Sequence, residues 1–588
     1  MLEKSNSAWG RGTVRIEANL EQKLFMLAII FLPLTNFRIE LPVGGGEVSR
    51  LFLFLGGCIY LYKIYTKQVT LDRFEKLALY YLAVSLLWQI ICTVIGVLEY
   101  DYYDIIYLEQ MDKLCYLLYN LKQTGIHVEE MAAIKTWLLL RFIKDCVLYV
   151  FFSYGASLWI YHLYKEYKTD TEKQNALVSH VTAAVSVLCL LLITYSVVET
   201  GYLQGSKFCA DILSATNPLL YEIGSVHGGW PPVLLPGRLR SLCAEPSFFG
   251  IISVIILFVL FYKNLTTNRV FYGCLLSAFV MMTVMSRSRA AISLYIVQGT
   301  LLLCYAFGLN RQCIKGAIKI IAITALSVLA GVYLVSEFKP VAKVAAKSSK
   351  QTVKAVTNTA KPAAKDKANT AKPNAKGKVD AVKPTAKDKV NTAKPNAKGK
   401  TDAVKPAAKG KPNNANVTIQ AATDDLLKRS VPFADKASAG SDMSRLNSTK
   451  AYFLTGLQHP VFGVGRGFSN AYADANYFPE DVWRVNIWSS FIRQKGVLRS
   501  PVPVLNHWSN EMAQFGIVGL ILFLLPVYYI AHTLRKLFPK GITVAIACAA
   551  ITYFGSNVAL LSYSALSSYY FMTGIVLVLL QGKTERRV

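Results

Sequence analysis

The sequence predicts an all-α polytopic membrane protein of about 12 transmembrane helices, with a large extracytoplasmic loop that contains a disordered basic repeat. Three observations lead there. Of the 588 residues, 53% are hydrophobic and only 17% charged, with a mean hydropathy of +0.34. A soluble chain carries about a quarter charged residues. The apolar residues are gathered into blocks such as 248–262, 320–335 and 515–530, each too apolar to face water all round, and a span needs about 20 of them. Between the blocks, short segments alternate in Lys and Arg content, as loops on the two sides of a membrane do. An aromatic content of 12%, with 33 Tyr, fits anchoring at the two interfaces.

Helices are expected near 23–37, 47–63, 76–98, 137–162, 177–198, 248–264, 271–286, 289–308, 316–336, 513–533, 541–561 and 565–582. The stretch 24–34 has no small-residue cleavage site behind it, so it reads as a retained first helix rather than a removable signal. One set of connections holds Lys63, Lys67 and Arg73, then Lys165, Lys168 and Lys173, then Lys263 and Arg269, Arg311 and Lys315, and Arg535, Lys536 and Lys540. The chain ends match that set through Lys4, Arg11 and Arg15 and through Lys583, Arg586 and Arg587, which places both termini in the cytoplasm. The other set faces outward and includes long loops near 99–136, 199–247 and 337–512. The organisation expected is therefore a cytoplasmic segment 1–22, nine helices over 23–336, a low-complexity stretch 337–420, an ordered remainder of the large loop over 421–512, three helices over 513–582 and a tail 583–588.

The low-complexity stretch repeats with a period of 22 residues, KPAAKDKANTAKPNAKGKVDAV at 361–382 and KPTAKDKVNTAKPNAKGKTDAV at 383–404, with a decaying third copy from Lys405. No large apolar residue recurs at helical spacing, so the repeat is predicted to be disordered. Between Lys339 and Lys411 lie 20 Lys and 4 Asp, a net +16 out of the chain's +28. The basic balance thus reports this insert and not a nucleic-acid face. Outside the membrane, its partner by charge is an anionic polysaccharide, lipid headgroup or wall polymer; a spacer without partner is the plainer reading. Eleven cysteines fall singly, with no CxxC and no Cys/His spacing, so no zinc or redox motif is expected. Cys209 and Cys243 share an outer loop, and the sequence leaves open whether they pair.

Ionisable groups at the outer ends of helices carry the chemical signal, because burying one costs about 2.5–3.5 kcal/mol on insertion scales. The segment PGRLRSLCAEPSFFG at 236–250 brings Arg238, Arg240 and Glu245 to the membrane surface. Its Glu245-Pro246-Ser247 reads as a helix start, with Pro in the first turn and a carboxylate favoured by the helix dipole. MSRSRAA at 285–291 sets Arg287 and Arg289 in a turn between helices. Guanidinium forks bind phosphate oxygens bidentately, which suits an anionic headgroup or diphosphate; the plainer reading is a snorkelling arginine. HPVFGVGRGF at 459–468 holds Arg466 among three glycines, a weak turn signal. NHWSNEMAQFGIVGL at 506–520 places His507 just ahead of a helix, as a base, as a hydrogen-bond donor, or as a structural histidine. Arg141 and Asp145, at i,i+4 with Lys144 between them, read as a neutralised pair within the bundle or as an ion relay.

Taken together, FLPL (31–34), EPSFFG (245–250), SRSRAA (286–291) and HPVFGVGRGF followed by a histidine and EMAQFGIVGL resemble the bacterial O-antigen polymerase and O-antigen ligase family, the polyprenyl-diphosphate-dependent polysaccharide polymerases and ligases. The likeness covers most of the membrane part and both flanks of the large loop. It departs from the family in the 22-residue repeat and in the order Asn506-His507-Trp508, where His-Asn would be expected. The resemblance implies saccharide transfer from a polyprenyl diphosphate to an acceptor sugar hydroxyl, at the outer face of the bacterial cytoplasmic membrane. It implies Arg287 and Arg289 on the diphosphate with Arg240 and Arg466 assisting, and His507 as first and Glu245 as second choice of base. Neither metal nor cofactor is expected; the partners are the lipid-linked oligosaccharide, the acceptor glycan and membrane lipids. The Glu-Pro-Ser start favours repeat-unit polymerisation over ligation to lipid A-core or protein. A transporter or flippase of lipid-linked saccharide is the alternative from another class, and it would predict inverted repeats and broken midplane helices.

Overall fold

The computed structural model describes residues 18–35, 37, 47–106, 108, 111–165, 167, 169–221, 237–338, 436–476, 504, 506–560 and 567–581. The basic repeat, both chain ends and the segments 421–435 and 477–503 lie outside them. The chain divides into two units, 341–418 and the remainder; the first of these is wholly outside the described residues.

The described residues are mostly helical and contain no strand, only an isolated bridge between Phe37 and Tyr221. In chain order the helices are α1 (Leu20–Ile30), α2 (Val48–Tyr65), α3 (Arg73–Leu98), α4 (Asp112–Gln123), α5 (Glu130–Val150), α6 (Ala156–Lys165), α7 (Asp170–Leu203), α8 (Lys207–Leu220), α9 (Pro246–Thr266), α10 (Val270–Ser286), α11 (Arg289–Cys304) and α12 (Ile314–Ser336). After the large loop come α13 (Lys436–Gln458), α14 (Ser469–Ala475), α15 (His507–Leu537), α16 (Val544–Leu560) and α17 (Ser567–Gln581). Among the described residues, eight helical segments are long and apolar enough to cross a membrane: α2, α3, α5 joined to α6, α7, α9, α11 with its final turn, α12 with the turn before it, and α15. Three shorter apolar helices, α10, α16 and α17, accompany them. The protein is a multi-pass helical membrane protein on this ground.

The centre of the bundle follows from composition. A helix that is apolar all round must be buried all round. From Phe249 to Tyr262 every residue of α9 is buried, and so is every residue of α17. α9 packs against α7, α10, α11, α12, α16 and α17. Small residues let neighbours close up, as they do in membrane bundles: a Cβ at Gly56 would fall within the ring of Trp159, and one at Gly250 would lie 2.8 Å from the Ala291 nitrogen.

Several elements differ from the sequence expectation. α1 has 11 residues and stops at Ile30 instead of reaching 37, because the chain turns over 31–33 ahead of Pro33, and a proline pushes its predecessor out of helical geometry. The helix expected at 137–162 runs from Glu130 to Lys165, through a π turn at Phe151–Gly155 where Ser153 leaves helical geometry. The segments near 99–136 and 199–247, expected as loops, contain α4 and α8. Asp145 lies 3.4 Å from Lys144, and Arg141 rests near the Phe142 ring, so the expected Arg141–Asp145 pair is replaced by a neighbouring one. Cys209 and Cys243 are both free thiols; Cys243 is fully buried, which raises its thiol pKa above the ordinary value.

At one end of the bundle the helices are tied together. Glu75 at the start of α3 is fully buried and accepts from Lys165 at 2.5 Å, from His162 Nδ1 at 2.8 Å and from Tyr60 at 3.4 Å. Tyr161 donates to Asp72 at 3.0 Å, and Lys63 pairs with Glu21. These contacts clamp α1, α2, α3 and α6. At the opposite end, Phe468 and Tyr472 pack on Tyr100, Tyr102 and Phe142. Tyr472 donates to Asp101 at 3.0 Å, and burial together with that carboxylate's charge keeps its hydroxyl protonated, at a pKa of about 12.

Candidate functional site

α15 is broken at Gly516, whose φ of 68° and ψ of −169° are open to glycine alone. In a membrane, each backbone group freed by such a break needs a partner. The segment 460–465 and α3 supply them. Val464 N donates to Ala513 O at 2.9 Å, Gly465 N to Gln514 O at 2.9 Å, and Ile517 N to Pro460 O at 2.8 Å. Trp88 Nε1 donates to Phe515 O at 3.0 Å. The fit needs bare backbone: a Cβ at Gly516 would lie 2.1 Å from Val461 O, one at Gly463 2.4 Å from the Gln514 carbonyl carbon, and one at Gly96 2.3 Å from Val464 O. The glycines of HPVFGVGRGF therefore serve close approach as well as turning. Trp88→Phe, which leaves Phe515 O without that donor, is expected to cost about 1–2 kcal/mol, read as a lower midpoint in thermal unfolding of the detergent-purified protein.

This interlock delivers Arg466 to the first turns of α15. Asn506 caps that helix, its side chain accepting from Ser509 N at 3.0 Å, and His507 is the first helical residue. His507 and Glu511 sit one turn apart, both buried, with Nε2 3.4 Å from Glu511 Oε1. Between them lies the hydroxyl of Tyr149 from α5, 3.1 Å from His507 Nε2 and donating to Glu511 Oε1 at 2.9 Å. Tyr570 from α17 donates to the same hydroxyl at 3.3 Å. The Arg466 guanidinium lies 4.4 Å from the centre of the Tyr149 ring, a cation–π contact. Among the described residues, buried Nδ1 of His507 finds no hydrogen-bond partner, and the same is true of Trp508 Nε1. Beside Glu511 and Tyr149, between α3, α5 and α15, lies a small gap of about 10 Å³, lined by Ser85, Gln89 and Ser153 as well as by Tyr81, Trp88 and Phe523.

The remaining sequence-predicted residues form a separate group around the starts of α9 and α11. Arg240 is buried, with Nε 3.6 Å from Glu199 Oε1. The backbone nitrogens of Arg240 and Ser241 also donate to Glu199, at 3.1–3.2 and 2.7 Å. Arg240 is thus engaged by a carboxylate from α7, and Glu199 ties the 237–244 segment to the bundle. Leu239 N donates to Met285 O at 3.2 Å, which sets this segment beside Arg287, a left-handed residue with φ 47° closing α10. Ser288 caps α11, and Arg289 is its first residue. Glu245 caps α9 through its backbone, with Pro246 next, and its Oε2 accepts from Ser247 at 2.8 Å.

His507 and Arg466 therefore come together; Glu245, Arg240, Arg287 and Arg289 belong to the second group. Sequence reasoning missed Glu511, Tyr149 and Glu199. Glu511 carried a signal, since i,i+4 from His507 puts both on one helix face; Tyr149 and Glu199 come from distant helices and carried none. Among the described residues no three His, Cys, Asp or Glu side chains gather as a metal site. No family model matches the chain, and no curated protein is similar to it.

Proposed function

We propose that this protein polymerises polyprenyl-diphosphate-linked oligosaccharide units at the outer face of a bacterial cytoplasmic membrane, in a twelve-span topology with both termini cytoplasmic. The observation that carries this reading is a buried histidine whose Nδ1 finds no hydrogen-bond partner among the described residues, held by a tyrosine over which a guanidinium is stacked. The acceptor hydroxyl oxygen attacks the anomeric carbon, the bond from that carbon to the diphosphate breaks, and the diphosphate leaves with the electron pair. His507 takes the hydroxyl proton. Arg466 meets the charge that grows on the diphosphate. Arg287 and Arg289, with Arg240 held by Glu199, form the separate basic group around the starts of α9 and α11.

The tied helix ends around Glu75 favour this reading over a flippase, whose alternating access would have to part them. Ligation to another acceptor uses the same chemistry and differs in product. The test is the size profile of surface and lipid-linked glycans in cells lacking the gene, with and without the wild-type copy restored. Collapse of a ladder to single units supports polymerisation. Long polymer stranded on its carrier means ligation, and an unchanged profile removes glycosyl transfer. Polymer formation in membrane vesicles is expected to survive a chelator; loss restored by a divalent ion would overturn the metal-free mechanism.

A further inference from the structure

We infer that Tyr149 and Glu511 are positioning residues that hold His507 in the tautomer protonated on Nε2, so that Nδ1 is the nitrogen presented to substrate. The choice of His507 as base rests on the glycosyl-transfer reading; the tautomer does not. A tyrosine hydroxyl has one proton to give. At 2.9 Å from Glu511 Oε1 and 3.1 Å from His507 Nε2, the Tyr149 hydroxyl donates to the carboxylate and leaves its oxygen as an acceptor facing the imidazole. Nε2 then carries the proton and donates it to Tyr149, while Glu511 Oε1, 3.4 Å away, adds a second negative neighbour on the same side. With the proton reversed, Nε2 would turn a lone pair toward that carboxylate.

One further feature fixes the direction. Tyr570 donates to the Tyr149 oxygen, which keeps the Tyr149 proton directed at Glu511. On the other side of the ring, Nδ1 is buried and finds no partner among the described residues. A buried neutral acceptor without a donor is the arrangement that an incoming hydroxyl completes. The second nitrogen of a working imidazole is commonly set by the hydrogen bond that the first one makes; here the neutral Tyr149 hydroxyl makes it, and Glu511 orients that hydroxyl.

The test is nitrogen-15 NMR of full-length, histidine-labelled protein in lipid nanodiscs, with the His507 signals assigned by their loss in His507→Gln. Expected is one neutral tautomer with the proton on Nε2 in the wild type. Glu511→Gln, which keeps an accepting oxygen, should retain it; Tyr149→Phe and Glu511→Ala should give a mixture. A wild-type signal showing the proton on Nδ1, or on both nitrogens, overturns the proposal. So does a single Nε2–H tautomer that persists in Tyr149→Phe. The spectrum needs no substrate, so an Nε2–H tautomer in a protein whose loss leaves cellular glycans unchanged would sustain this inference while overturning the glycosyl-transfer reading.

Discussion

His507→Gln is expected to lower polymer formation about 10³-fold while the protein stays folded. A positioned general base contributes about 10²–10⁴-fold, and among the described residues this histidine has a buried acceptor nitrogen without a hydrogen-bond partner. Glutamine roughly preserves the volume against Phe523 and Tyr149, on which the ring now packs at centroid distances of 5.0 and 6.2 Å. The loss should therefore fall on turnover and leave the thermal unfolding midpoint within a few degrees. Glu245→Gln is the companion variant. Its carboxylate receives Ser247 at the start of α9, in the other group of site residues, and glutamine can still accept that bond. Less than a tenfold loss is expected there. The measurement is the glycan ladder in complemented deletion cells, with membrane levels of each variant matched. The reverse pattern, with the ladder lost in Glu245→Gln and retained in His507→Gln, would transfer the base to Glu245.

The parts of the fold that composition dictates were legible. A run such as Phe248–Tyr262, apolar on every face, has nowhere to go but the centre of a bundle, and α9 lies there. Helix ends outside the apolar blocks were less so. The first two turns of α5 are polar enough to read as loop, yet Ala133, Ile134 and Leu138 bury against Val464 and Phe468 of the large loop. That reason is tertiary and leaves no trace in a hydropathy window. The same holds for the site. Arg466 and His507 were singled out because their residue types suit the chemistry, and the break at Gly516 brings them together. Arg240 shows the converse: the resemblance implied a helper on the diphosphate, and packing sets it against Glu199, 41 residues upstream on α7. Local sequence states what a side chain can do. Which charge it faces depends on packing.

Gly516→Ala should be the most damaging single-methyl change in the protein, costing about 4 kcal/mol or more. Two effects coincide. A non-glycine residue held outside its allowed backbone region costs about 1–3 kcal/mol. The added Cβ would also press to 2.1 Å from Val461 O and 2.7 Å from Pro460 O, which are main-chain atoms with no rotamer to escape into. Relief would require moving the 460–465 segment off α15, which breaks the bonds from Val464 N, Gly465 N and Ile517 N and leaves their partners unsatisfied in an apolar medium. Arg466 would move with that segment, so the site should fail together with the fold. Two glycines separate these contributions. Gly541 has φ of 76° and nothing within 4 Å of a built Cβ, so Gly541→Ala reports backbone strain alone and should cost only the smaller term. Gly299 lies in α11 with open space around it, and Gly299→Ala should be neutral or slightly stabilising, since alanine is the better helix former. Thermal unfolding of the four proteins in one detergent is expected to rank Gly299→Ala at or above wild type, then Gly541→Ala, with Gly516→Ala far below. Equal midpoints for Gly541→Ala and Gly516→Ala would mean that the interlock adds nothing to strain, and that α15 does not need the loop to hold its break.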